Sequence, residues 1–136
     1  MTDPATVVLD SSALLAFLHE EPGAAFVEDN IRATAVMSAV NWAESLSKLI
    51  DFGEDADAIA TDLVEGGIVG QALVIWPFDD ALAQETARLR RQTKAAGLSI
   101  GDRACLALGR SLRTPVLTAD KRWASLDLDI DVRAIR

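Results

Sequence analysis

The sequence predicts an α/β domain with a central, mostly parallel, twisted sheet of about four to five strands and helices on both of its faces. Two observations carry that prediction. Short β-branched apolar runs alternate with amphipathic helical stretches from one end of the chain to the other, as strand–helix–strand crossovers require. The first of those runs is apolar at successive positions, as in a strand covered on both sides. The 136 residues, half of them apolar and a quarter charged, suit one globular domain spanning 1–136. A chain of that size buries roughly two-thirds of its unfolded surface.

Taken in order, Ala5–Leu9 reads as a buried strand that ends at Asp10. Ser12–His19 is the first helix, broken by Pro22 and Gly23, and Gly23–Ile31 is a second short one. Ala35–Ser38 is a short strand. Ala39–Phe52 carries Val40, Ala43, Leu46, Leu49 and Ile50 at helical spacing and stops at Gly53. Asp55–Glu65 repeats the pattern with Ile59, Leu63 and Val64. Ala72–Trp76 is a strand closed by Pro77, and Asp79–Ala96 is one long amphipathic helix ending at Gly97. Ser99 is a good N-cap for a helix through Leu112, with Asp102 in its first turn. Thr114–Thr118 is a strand, Lys121–Ser125 a short helix, and Ile130–Val132 a last strand.

Composition narrows the function. The net charge of −8 lacks the basic face expected of a protein that coats nucleic acid. It suits a pocket that gathers carboxylates and fills with divalent cations, and two such ions would bring −8 to −4. The single cysteine, Cys105, excludes an intrachain disulfide and fits a reducing, cytoplasmic setting. Its apolar neighbours place it in the core. The single histidine, His19, excludes two-histidine zinc motifs; at the end of the first helix it suits the dipole. Asp3 and Asp10 interrupt the N-terminal stretch, which does not read as a secretory signal. No apolar run approaches the length of a membrane span.

In a parallel sheet of this kind, ligands bind outside the carboxyl ends of the strands. Asp10 follows one predicted strand and Asp120 another, so both belong in that crevice. Taken singly, each is better explained as a helix cap or turn residue. Glu44 lies in the third helix at the border of its apolar face, with Asn41 one turn back. A carboxylate there is costly unless it is paired or binds a metal. Asp102 sits at a helix start, where capping and the dipole keep it ionised.

It is the four together that are specific. The segments Val8-Leu9-Asp10-Ser11-Ser12-Ala13, Ala43-Glu44, Leu98-Ser99-Ile100-Gly101-Asp102 and Leu117-Thr118-Ala119-Asp120-Lys121-Arg122-Trp123 resemble the PIN-domain family, and within it the small VapC toxins. The resemblance spans essentially the whole chain. It implies a PIN-like fold and a metal-dependent endoribonuclease, the toxin of a VapBC toxin–antitoxin system that inhibits translation and growth. It assigns Asp10, Glu44, Asp102 and Asp120 to an acidic quartet that binds one or two Mg²⁺ or Mn²⁺ ions. Thr118 matches the hydroxyl residue beside the last acid, and Trp123 the aromatic after it. Ser11 or Ser12 is expected to support Asp10, and Asn41 to orient Glu44.

Magnesium prefers oxygen ligands and retains several waters. Four carboxylates around one pocket repel each other strongly without it. With metal, such a site activates water and stabilises the transferring phosphate, and two ions roughly 4 Å apart clamp attacking and leaving oxygens. The expected products carry a 5′-phosphate and a 3′-hydroxyl. Arg103, beside Asp102, and Lys121 with Arg122, beside Asp120, are the candidates for holding RNA phosphates. Arg88, Arg90, Arg91, Lys94, Arg110 and Arg113 read instead as solvated helix faces. Trp42 and Trp76 are expected in the core rather than stacked on bases.

The resemblance further implies a VapB-type antitoxin, a homodimer through an apolar helix face in the N-terminal half, and a toxin–antitoxin hetero-oligomer. A basic antitoxin segment entering the acidic pocket is the expected mode of inhibition. Two rivals stand beside this reading. One is a non-catalytic PIN-like module that binds RNA or protein. The other is a phosphatase with Asp10 as nucleophile, which is disfavoured because Ser12 stands where such chemistry wants a second acid.

Overall fold

In the computed structural model, which describes residues 6–136, the first strand β1 (Val7–Leu9) runs directly into α1 (Ser11–Leu18). Ala5, expected to open that strand, lies outside the described residues. Then come α2 (Ala24–Arg32), β2 (Ala35–Ser38), α3 (Ala39–Asp51), α4 (Ala56–Glu65), β3 (Leu73–Trp76), α5 (Asp80–Arg88) and α6 (Arg90–Thr93). The chain closes with α7 (Ile100–Leu112), β4 (Val116–Thr118), a 3-10 turn at Lys121–Ser125, and β5 (Val132–Ala134).

The five strands form one sheet in the order β3-β2-β1-β4-β5, and every pairing is parallel. The alternation of strands and helices therefore produces the parallel α/β layering expected of it. Side chains of a strand point alternately to its two faces, and the core divides accordingly. Val7 and Leu9 of β1 join Ala35, Met37 and Leu117 in one apolar layer beneath α1 and α2. Val8, Val36 and Val116 face the other layer, filled by Leu82, Leu89, Leu98 and the apolar side of α7. Helix α7 lies so close to β4 that a Cβ at Gly109 would sit 2.4 Å from Val116, so only glycine fits there.

The long helix expected over Asp79–Ala96 is broken at Leu89. Arg103 on α7 donates from Nη1 to the Thr86 carbonyl at 3.0 Å, the acceptor a continuous helix would offer to the Arg90 amide. The hydroxyls of Thr86 and Thr93 also donate back to the carbonyls of Leu82 and Leu89, at 2.7 and 2.8 Å, which bends helices. The last strand lies two residues later than expected. Its register is set by β4, with Val132 opposite Val116 and Ala134 opposite Thr118. Ile130 packs instead against the second apolar layer.

The tryptophans divide. Trp42 packs against the first layer as expected. Trp76 does not reach the core: it is 39% exposed, on the edge strand of the sheet. Trp123 is 2% exposed and packs in the second layer, which removes it as a stacking platform for bases.

Candidate active site

Strand order reverses at β1: β2 and β3 lie on one side of it, β4 and β5 on the other. The chain therefore leaves a crevice at the carboxyl ends of β1 and β4, the switch point where parallel α/β sheets bind ligands. Asp10 follows β1 and Asp120 lies two residues past β4. Glu44 comes from α3, which follows β2, and Asp102 from the first turn of α7.

Asp10 is 5% exposed and is the best-anchored member. One of its oxygens accepts from the Ala13 amide at 2.8 Å, capping α1. The Ser12 hydroxyl donates to the same oxygen at 2.7 Å, and the Thr118 hydroxyl to the other at 2.6 Å. Burial nevertheless pushes its pKa up to about 6, against the lowering effect of those hydrogen bonds and with a further push from the charge of Asp102. The expected supporting roles of Thr118 and Ser12 are thus present as contacts. Ser12 also accepts from the Ala119 amide at 2.9 Å and Thr118 from the Asp120 amide at 3.0 Å, so the two hydroxyls tie β1 and β4 together around the acid.

Glu44 is half-buried, and its Oε1 accepts from the Ser11 hydroxyl. Ser11 therefore supports Glu44 rather than Asp10. Asn41 does not bond Glu44. Its amide donates to the Gly101 carbonyl at 2.9 Å, and its own side-chain oxygen is buried without a partner. Asn41 positions α3 against α7 instead. A Cβ at Gly101 would lie 2.8 Å from Glu44 Oε2, so the glycine leaves the space in which the carboxylate rests. The sequence carried a signal for it, since glycine in the first turn of a helix costs about 1 kcal/mol relative to alanine and implies a packing reason.

Asp102 completes a capping box. Its carboxylate accepts from the Ser99 amide at 3.0 Å, and Ser99 Oγ from the Asp102 amide at 3.1 Å. Asp120 faces Arg122 in a forked ion pair, which holds its pKa below the usual carboxylate range. Arg122, expected on a substrate phosphate, is thereby engaged by an acid of the same chain. Arg103 turns away to α5, and its Nε is buried without a partner. Lys121 opens the 3-10 turn and is exposed.

Cys105, buried one turn after Asp102, senses the group. Burial pushes its thiol up first, then the charges of Asp10, Asp102 and Glu44. Among the described residues, however, no three acidic, histidine or cysteine side chains form a ready cage for an ion; Asp102 and Asp120 are turned to the Ser99 amide and Arg122. The donor set still suits a hard divalent cation. It offers carboxylate and hydroxyl oxygens, and the buried Asp10 is held by hydroxyls and an amide with another carboxylate as a charged neighbour. A cation is what such a group lacks.

Comparison with solved structures gives full-length likenesses. A chain of DNA-bound VapBC from Salmonella typhimurium superposes with a TM-score of 0.71 at 15% identity, covering 96% of this chain and 98% of the other. The sarcin–ricin loop cleaving toxin VapC20 of Mycobacterium tuberculosis gives 0.69 at 10%, with 93% and 99% covered. A chain of VapBC-5, also from Mycobacterium tuberculosis, gives 0.58 at 28%, with 98% and 99% covered. The first two likenesses are of fold alone. No curated protein matches the sequence. The model of the PIN domain matches residues 7–128, a span that contains all four acids, and the chain belongs to that family.

Proposed function

We propose that this chain, acting as one domain over 1–136, is a divalent-metal-dependent endoribonuclease and the toxin half of a VapBC pair in the cytoplasm. The observation that carries the reading is the buried Asp10 carboxylate, held by Thr118, Ser12 and the Ala13 amide at the switch point of the sheet, with Glu44 seated against Gly101, the residue before Asp102. The full-length likeness to VapBC chains supports the toxin assignment, and the likeness to a sarcin–ricin loop cleaving toxin supports RNA as the substrate class.

Asp10, Glu44, Asp102 and Asp120 would hold the metal, one or two ions of Mg²⁺ or Mn²⁺. Such an ion supplies Lewis-acid polarisation of a phosphodiester and activation of water. The chain's own part is positional. Thr118 and Ser12 fix the Asp10 carboxylate, and Ser11 and the space at Gly101 fix Glu44. Exposed Lys121 is a candidate for a substrate phosphate. By family resemblance the chain forms a homodimer and is inhibited by a VapB-type antitoxin in a hetero-oligomer. Among the described residues, no helix is long and apolar enough to cross a membrane.

One observation favours a non-catalytic binding module instead: the four acids are each engaged within the chain and form no ready cage. Cleavage of total cellular RNA by purified, antitoxin-free protein separates the two. The expected result is discrete cuts in Mg²⁺ or Mn²⁺, none in EDTA, none with Asp10→Asn, and 5′-phosphate ends. Binding of RNA without cleavage by folded, metal-loaded protein would establish the module.

A further inference from the structure

Arg122 stands where it competes with a metal. Asp120 Oδ1 accepts from both the backbone amide and Nε of Arg122, each at 3.0 Å, and Oδ2 accepts from Nη2 at 2.8 Å. Both carboxylate oxygens are thus directed at one guanidinium in a two-pronged pair. The charge of Asp102 adds to the attraction, so the guanidinium lies in the field of two of the four acids. The pair spans only two residues of the 3-10 turn, and the next residue, Trp123, is anchored in the core. The cation is therefore at hand in every molecule without a search. Arg122 itself is 73% exposed against 31% for Asp120, so it can swing out without disturbing the core.

We propose that Arg122 is a built-in counter-ion that holds Asp120 while no divalent ion is bound and is released when one binds. The inference rests on the reading of the four acids as a metal site. Its physical basis is exclusion. A guanidinium and a divalent cation repel at contact distance, and the fork already uses both oxygens of Asp120. Metal binding therefore includes the cost of opening the pair, and the metal-free site keeps its outermost acid aligned rather than splayed by repulsion from Asp102.

The test is Mn²⁺ binding by the full chain, read as the electron paramagnetic resonance signal of free Mn²⁺, independently of cleavage. Wild type, Arg122→Gln, Arg122→Lys, Asp10→Asn, Asp120→Asn and the double variant Asp120→Asn/Arg122→Gln are compared at one pH and salt concentration. Arg122→Gln is expected to lower Kd about two- to fivefold, the scale of an exposed ion pair, and Arg122→Lys by less. The lysine variant keeps the charge but loses the fork. The double variant is expected to match Asp120→Asn. Unchanged Kd in both Arg122 variants overturns the proposal. Tightening by Arg122→Gln that persists in the Asp120→Asn background also overturns it, because general charge rather than the pair then accounts for the effect. Loss of Mn²⁺ binding in Asp10→Asn confines such a failure to Arg122. Binding that survives Asp10→Asn removes the metal-site reading itself, and the proposal with it.

Discussion

Asp10 combines burial, three hydrogen bonds and a carboxylate neighbour, and these pull its proton affinity in opposite directions. Its pKa of about 6 stands above the ordinary aspartate value of 3.8, so the metal-free native state holds a proton that the unfolded chain releases. That contribution to stability is fully present below pH 3.8 and is lost as pH rises through about 6. It amounts to about 3 kcal/mol at most. Asp10→Asn should therefore gain stability relative to wild type between pH 4 and pH 8 in EDTA, as paired thermal melts would record. A constant gap between the two would contradict the burial effect. Gly101→Ala should act on the neighbouring acid. The new methyl would meet Glu44 Oε2, so cleavage should fall at least about tenfold while the melting temperature changes little. Unaltered cleavage would show that Glu44 needs no fixed seat.

Among the elements, α7 does most to assemble the site. It brings Asp102, the space at Gly101 in which Glu44 rests, and the carbonyl that Asn41 bonds. Its capping box depends on Ser99. Ser99→Ala should cost about 1 kcal/mol, read as a shift in the urea midpoint at constant slope, and leave Asp102 less tightly oriented. Element order and the cap were legible in the sequence because periodicity and the Ser99–Asp102 spacing are local signals. The break at Leu89 was not, because it depends on Arg103 reaching across from another helix to the Thr86 carbonyl. The start of β5 was hidden for a related reason: the apolar alternation through Leu128, Ile130 and Val132 begins before the point where β4 supplies a partner. Asn41, Ser11 and Arg122 lay in the right places, but their partners (Gly101, Glu44 and Asp120) follow from packing and rotamer choice, which spacing does not encode.

For the whole molecule, the sheet divides the interior into two layers, and Leu106 and Leu117 lie fully buried on opposite sides of it. Replacing either by alanine should cost about 2–5 kcal/mol, measured by urea unfolding, with Asp10 and its hydroxyl partners disturbed more by Leu117→Ala because Thr118 is the next residue. Asp10 and Asp120 were legible as residues just past a strand and Asp102 as a capping position, whereas Glu44, inside α3, joined the set only through the resemblance to the family. Their proximity is a property of topology alone, with β1 and β4 adjacent in space.

The hydrogen bond between Asp10 and Thr118 joins residues 108 positions apart. A ribosome making this chain emits Asp10 long before Thr118. Until β4 has emerged and slotted beside β1, the pocket around Asp10 has no second wall. Contacts of such long sequence separation also form late and slowly in folding. A protein able to cut RNA would then remain harmless to the machinery synthesising it until β4 had emerged, and a fragment ending before Val116 would lack that wall. The delay needs no inhibitor, because it is written into the order in which the strands enter the sheet.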